Sequence, residues 1–205
     1  MKEIEMPRTA LIVLMLMWFP SVPLTAQTSD TQAMDFLPTP LAMDAQGFQE
    51  VLFQVAPNVY LSGQPSEAGL VRAKELGVTR VINLRTTMEM DNREVVPFDE
   101  AQLLAELGID YVHVPSGGPD TPYSPERVAQ VADAIADAQG NVLLHCTVAW
   151  RATHLWTAYL IGHQNVPFAD ALAVGRQLNF GTFPLEGFLD APLTVTPLQQ
   201  GDNNE

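Results

Sequence analysis

The chain has 205 residues, 47% of them hydrophobic, and a net charge of −14 from 24 acidic against 10 basic side chains. That length and apolar share allow one ordinary domain with tails. The charge excludes sequence-independent nucleic-acid binding, which needs Lys and Arg to neutralise phosphates, and adhesion to anionic lipid through basic residues; any anion site must be local, built from backbone N–H groups and one or two Arg.

The first 26 residues read as an export signal. Lys2 and Arg8 give a positive start, Ala10 to Phe19 is a short apolar run, Pro20 and Pro23 break it, and Ala26 is a small residue suited to cleavage before Gln27. The alternative is an uncleaved anchor, for which the run is short. Glu3 and Glu5 are unusual in such a segment, and initiation at Met6 would remove both. The expected location is therefore periplasmic or secreted, with no stable membrane anchoring after cleavage. Residues 27–49 are polar and Pro-containing and read as a flexible tether. Residues 184–205, ending Gln-Gln-Gly-Asp-Asn-Asn-Glu, read as a disordered tail. The folded domain is expected over 50–183.

Within it, strand and helix patterns alternate. Asn58 to Gly63 reads as a strand. Ser66 to Leu76 reads as a helix, with Ser66 as N-cap and Gly77 as its stop. Thr79 to Leu84 is a β-rich run, Pro97 to Leu107 a helix stopped by Gly108, and Asp110 to Val114 a strand. Ser124 to Gln139 is a helix with Pro125 at N1 and Glu126 in its first turn. Asn141 to His145 is a continuous apolar strand of the kind buried on both faces. Ala152 to Gly162 and Pro167 to Leu178 read as two closing helices. This order predicts an α/β fold with a mainly parallel sheet of four to five strands and helices on both faces. Ligands in such sheets sit beyond the carboxyl ends of the strands.

That edge carries the one cysteine of the chain, Cys146, so no intramolecular disulfide is possible. The bland reading is a small core residue. The buried strand, however, runs directly into Cys146, a four-residue loop (Thr147, Val148, Ala149, Trp150) follows, and then Arg151 and a helix. A thiol between a strand end and a helix N-terminus sits in a positive field that favours thiolate. Arg151 adds a planar cation suited to paired contacts with phosphate oxygens. A nucleophile inside an anion cradle is what phosphate-ester cleavage through a phosphocysteine requires.

His145-Cys146-x4-Arg151 resembles the signature loop of the cysteine-dependent phosphatases, a superfamily that includes the protein tyrosine phosphatases. The blocks Tyr60 to Pro65, Gly77 to Arg85 and Gly108 to Pro115 resemble, in order, those of a bacterial dual-specificity-like phosphatase domain that also occurs fused to β-lactamase-like hydrolases. The resemblance spans about Pro57 to Asn179. It implies that Cys146 attacks phosphorus, that Arg151 and the amides of Thr147, Val148, Ala149 and Trp150 hold the phosphate oxygens, and that His145 orients the loop. It implies no metal or other cofactor. The chain departs from the tyrosine phosphatases in having four residues rather than five between Cys and Arg, and from the bacterial family in having Ala149 where a glycine is usual. A glycine turns N–H groups onto an anion by taking positive φ, so Ala149→Gly is expected to recover anion affinity. The residue after Arg151 is Ala152, where the phosphatases often have Ser or Thr.

Asp120, in the loop Pro115 to Thr121, is the general-acid candidate, since the resemblance implies an Asp from the loop after the third strand; Pro-Asp is equally common turn chemistry. Asp91 and Asp99 are the fallback candidates. Arg85, at the end of its strand, either binds the substrate anion or pairs with an acid. Trp150 is a core or rim aromatic, or a pocket wall. Three functions remain open: a phosphatase acting on a phosphorylated small molecule or phosphoprotein, a weak or inactive phosphoanion-binding relative, and a rhodanese-like sulfurtransferase carrying a persulfide on Cys146.

Overall fold

The computed structural model of the chain describes residues 36–179 and 185–192. The expected leader over residues 1–26 lies outside them. Six strands form one sheet in the order β1-β2-β3-β6-β4-β5. β3 (Val59–Ser62), β6 (Asn141–His145), β4 (Val78–Asn83) and β5 (Asp110–His113) are parallel neighbours. β1 (Leu41–Ala42) and β2 (Leu52–Ala56) add an antiparallel edge. The expected α/β fold with a mainly parallel sheet is what forms, with six strands in place of four to five.

The apolar strand β6 alternates its side chains between two cores, as the period of a strand requires. Val142 and Leu144 pack with α4 (Pro125–Ala136), α5 (Trp150–Gly162), α6 (Phe168–Arg176) and α7 (Leu185–Leu189), through Val131, Ile135, Leu155, Trp156, Ala171 and Phe188. Leu143 faces the other way, onto α1 (Glu67–Glu75) and α3 (Glu100–Leu107), through Leu70, Ala73 and Leu104. α5 is apolar on nearly every side, and Arg151 through Leu160 are all buried, as in a helix enclosed by its neighbours. Burying side chains such as Leu155, Trp156 and Leu160 contributes roughly 2–3 kcal/mol each. α3 stops where the sequence says, at Gly108 in the left-handed conformation (φ 70).

Two boundaries differ from the sequence reading. The expected tether over 27–49 is joined to the domain from Leu37 onward: Leu37 N–H donates to Val55, Leu41 and Ala42 pair with β2, and Phe48 is buried. The expected tail over 184–205 contains α7, whose Leu185 and Phe188 are buried against the α4–α5 layer; residues 193–205 lie outside the described ones. In both places isolated apolar residues in polar surroundings fill gaps in the core, which periodicity over a window does not reveal.

Candidate active site

The carboxyl ends of β3, β4 and β6 converge on one edge. Gly63, just past β3, has room there because it has no side chain: a Cβ would lie 1.9 Å from the Gln49 carbonyl oxygen. The backbone of Gly63 bridges to Val148, and the Gln64 N–H donates to the Thr147 carbonyl at 2.9 Å, so β3 braces the loop after Cys146. Asn179 braces its far side, its Nδ2 donating to the Val148 carbonyl at 2.7 Å.

The loop curves because Ala149 takes the left-handed conformation itself (φ 64, ψ −5), as N-cap of α5. The conformation usual for glycine is thus reached by a buried alanine. That corrects the expectation for Ala149→Gly. Relief of the left-handed strain, about 1–2 kcal/mol, is offset by the lost buried methyl, about 0.8 kcal/mol, and by the greater freedom of glycine in the unfolded chain. Ala149→Gly is therefore expected to change unfolding free energy by less than about 1 kcal/mol and to leave vanadate affinity nearly unchanged. Urea unfolding and vanadate titration of the pair check this.

Cys146, Thr147, Val148, Trp150 and Arg151 line one open cleft of ≈ 420 Å³, with Thr86, Met88 and Glu89 on one side and Gly117, Gly118 and Tyr123 on the other. Cys146 is 1% exposed, at its floor. Trp150 is thus a wall residue, in the first turn of α5 and not in the loop.

Glu89 is the residue sequence reasoning missed. It sits in α2 (Thr87–Asp91), where a capping box ties it to Thr86: the Thr86 N–H and hydroxyl both donate to Glu89 Oε2, at 2.8 and 2.9 Å. Its two oxygens meet Arg151 end-on, Nη2 to Oε1 at 2.5 Å and Nη1 to Oε2 at 2.9 Å. The Thr147 hydroxyl donates to Oε1 at 3.1 Å. Burial pushes the Glu89 carboxyl up, but the Arg151 guanidinium and the Thr86 donors outweigh it and bring it down to about 2. The same Arg151 Nη1 reaches the Leu84 and Ser116 carbonyls, and Nη2 reaches Thr147 Oγ1. The side-on pair of Arg151, Nε–H with the second Nη2–H, therefore meets one neutral hydroxyl and no carboxylate.

The Glu89 shift makes a pH prediction. The folded value of about 2 lies below the ordinary 4.5, so the stabilisation is full above pH 4.5 and is lost as pH falls toward 2. For an enclosed group the gap corresponds to ~3 kcal/mol; the Glu89 side chain is 29% exposed, and screening brings it to ~1–2 kcal/mol. Glu89→Gln is expected to be less stable than the parent by that amount at pH 7 and by progressively less below pH 4.5. Urea unfolding at several pH values checks it, and a deficit that does not shrink in acid contradicts it.

Of the remaining candidates, the three Asp do not line the cleft. Asp120 is exposed and does not line it, although Gly117 and Gly118 of the same loop do. Asp99 caps α3, accepting from the Gln102 N–H, and Asp91 ends α2 in solvent. Arg85 is 3% exposed; its Nη1 donates to Gln64 Oε1 at 2.7 Å and its Nε lies 3.7 Å from Glu89 Oε1, so it pairs with the acid that holds Arg151. His145 is fully buried, with Nε2 at 2.9 Å from Glu100 Oε1. Among the described residues no group of three His, Cys, Asp or Glu is placed to hold a metal.

The sequence pattern of the β-lactamase hydrolase-like protein family, phosphatase-like domain, matches residues 51–162, more than half of the chain. The chain belongs to this family. No curated protein matches it. Among solved structures, a phosphatase-like protein of Shewanella putrefaciens CN-32 is 29% identical, with 71% of this chain and 91% of that one covered and a TM-score of 0.54. Two more distant neighbours share the fold. P. aeruginosa TpbA, solved in complex with pTyr, is 18% identical over 78% of this chain and 86% of its own, with a TM-score of 0.52. The human tyrosine phosphatase-like serine/threonine/tyrosine-interacting protein is 18% identical over 68% and 91%, with a TM-score of 0.54. The family is thus a phosphatase-like one, and the fold is shared with tyrosine phosphatase-like proteins.

Proposed function

We propose that this member of the family is an exported, catalytically competent phosphatase acting on phosphate monoesters of small molecules or phosphoproteins. One observation supports it above the others. Cys146 and Arg151 line the same cleft, and Glu89 grips the end-on edge of the guanidinium, which leaves the side-on edge for a phosphate. Thiolate Sγ attacks phosphorus; the S–P bond forms as the P–O bond to the leaving group breaks. The electron pair goes to that oxygen, which takes a proton from the Asp120 carboxyl. Water then attacks the phosphocysteine and gives its proton to Asp120, and the S–P bond breaks to restore thiolate and release phosphate.

In this reading Asp120 must reach the cleft from the Gly117–Gly118 turn, whose two glycines hold positive φ of 113 and 78. Asp120→Asn is then expected to slow hydrolysis of an alkyl phosphate, which needs protonation, by about 10²-fold or more, and that of a nitrophenyl phosphate much less. Equal losses on both substrates count against Asp120 as the acid.

A second reading is a non-catalytic phosphoanion-binding module, favoured by the Glu89 charge beside the cradle. The purified chain assayed for p-nitrophenyl phosphate hydrolysis and for orthovanadate inhibition tests the two. Vanadate-sensitive turnover supports the phosphatase, and anion binding without turnover supports the module.

A further inference from the structure

Behind the cleft, on the side of the sheet covered by α3, a buried polar chain links Arg85, Gln64, Glu100, Asn83 and His145. All five side chains are buried, and Glu100 is 2% exposed. Its polarity follows from the chemistry of its members. Arg can only donate, so Gln64 must turn Oε1 to Arg85 Nη1 (2.7 Å) and Nε2 to Glu100 Oε2 (2.6 Å). The Arg85 backbone N–H lies 2.8 Å from Asn83 Oδ1, so the Asn83 Nδ2 points to Glu100 Oε1 (3.2 Å) and the Tyr111 hydroxyl (3.1 Å). Neither amide can reverse without opposing donor to donor at Arg85.

Each carboxylate oxygen of Glu100 thus receives an amide N–H before His145 is considered. Two N–H donors converging on its oxygens favour the ionised carboxylate. An anion can only accept, so the His145 nitrogen 2.9 Å from Oε1 must carry a hydrogen. The other ring nitrogen, Nδ1, is buried and has no hydrogen-bond partner among the described residues. An imidazolium would enclose an unpaired N–H there, which costs more than an unpaired lone pair on a neutral ring.

We propose that Arg85, Gln64 and Glu100 are positioning residues that fix His145 as the neutral Nε2–H tautomer and so anchor the residue that enters the Cys146 loop, with Arg85 joining this chain through Nη1 while its Nε faces Glu89. The proposal rests on the phosphatase reading only in taking Cys146 as the nucleophile.

Ring-nitrogen NMR of the full chain labelled with 15N-histidine tests it at pH 7. The four histidines are distinguished by single substitutions at His113, His154 and His163. His145 is expected to show a protonated, pyrrole-type Nε2 and a pyridine-type Nδ1. A proton on Nδ1, or an imidazolium, overturns the proposal whatever the variants do. In Glu100→Gln three donors face one acceptor oxygen, and in Arg85→Met the Gln64 amide is released; both are expected to lose the single tautomer and show mixed His145 signals. A pattern unchanged in either folded variant overturns that residue's part. Hydrolysis of p-nitrophenyl phosphate by the same parent sample is read separately, so failure of the phosphatase reading leaves the tautomer result standing.

Discussion

Arg151→Lys is expected to lower turnover of an aryl phosphate by about 10²–10³-fold, although the charge is kept. Arg151 is a fork with a holder: Glu89 takes Nη1 and Nη2 end-on, and Nη1 also reaches the Leu84 and Ser116 carbonyls. The guanidinium plane is fixed by these contacts, and the side-on edge is presented to the cleft without reorganisation. A lysine ammonium has no second edge. If it satisfies Glu89, it turns from the anion; if it follows the anion, the Glu89 carboxylate loses both guanidinium contacts and keeps only the Thr86 and Thr147 donors and the longer contact to Arg85. Loss of one preorganised donor to developing charge costs about 2.7–4 kcal/mol in the transition state, the origin of the expected factor. Comparison of kcat/KM and vanadate inhibition for the two proteins checks it. A variant within a few-fold of the parent in both removes Arg151 as the anion clamp.

Cys146→Ser is expected to remove turnover to background while phosphate still binds. The substitution replaces a buried sulfur by a smaller oxygen at the cleft floor and leaves the loop bracing from Gly63, Gln64 and Asn179 untouched. A hydroxyl is a far poorer nucleophile than a thiolate without an adjacent general base. The chain holds no second cysteine that could substitute. Retained phosphate binding, measured by calorimetry, separates loss of the nucleophile from loss of the cradle. Hydrolysis that survives in Cys146→Ser assigns the chemistry to another residue.

Much of this arrangement is legible in the sequence. The alternation of Val142, Leu143 and Leu144 between two cores is what a strand covered on both faces must show, and it places Cys146 at the ligand-binding edge. Glu89 was legible in part: Thr86-Thr87-Met88-Glu89 is a capping-box pattern, but a five-residue helix has no apolar stripe to draw attention to it. Glu100 was not legible, because a glutamate in the first turn of a helix ordinarily faces water. Its burial depends on Gln64, Asn83 and His145 arriving from three other segments. Arg85 reads equally as an anion contact or an ion-pair partner, and only the placement of its Nε 3.7 Å from Glu89 Oε1 decides for the ion pair. Asp120 follows from the family resemblance, which fixes the loop but not the direction of a side chain on it. β1 and β2 escaped notice because a short edge pair joined to polar flanks carries too little periodicity.

The most direct test of the central claim is rapid acid quench of the parent chain during turnover of an aryl phosphate, followed by intact-mass and peptide analysis. The account predicts one phosphoryl group on Cys146, formed within the first turnover, absent from Cys146→Ser, and lost on further incubation as phosphate appears. Turnover without that adduct, or an adduct on any other residue, contradicts it.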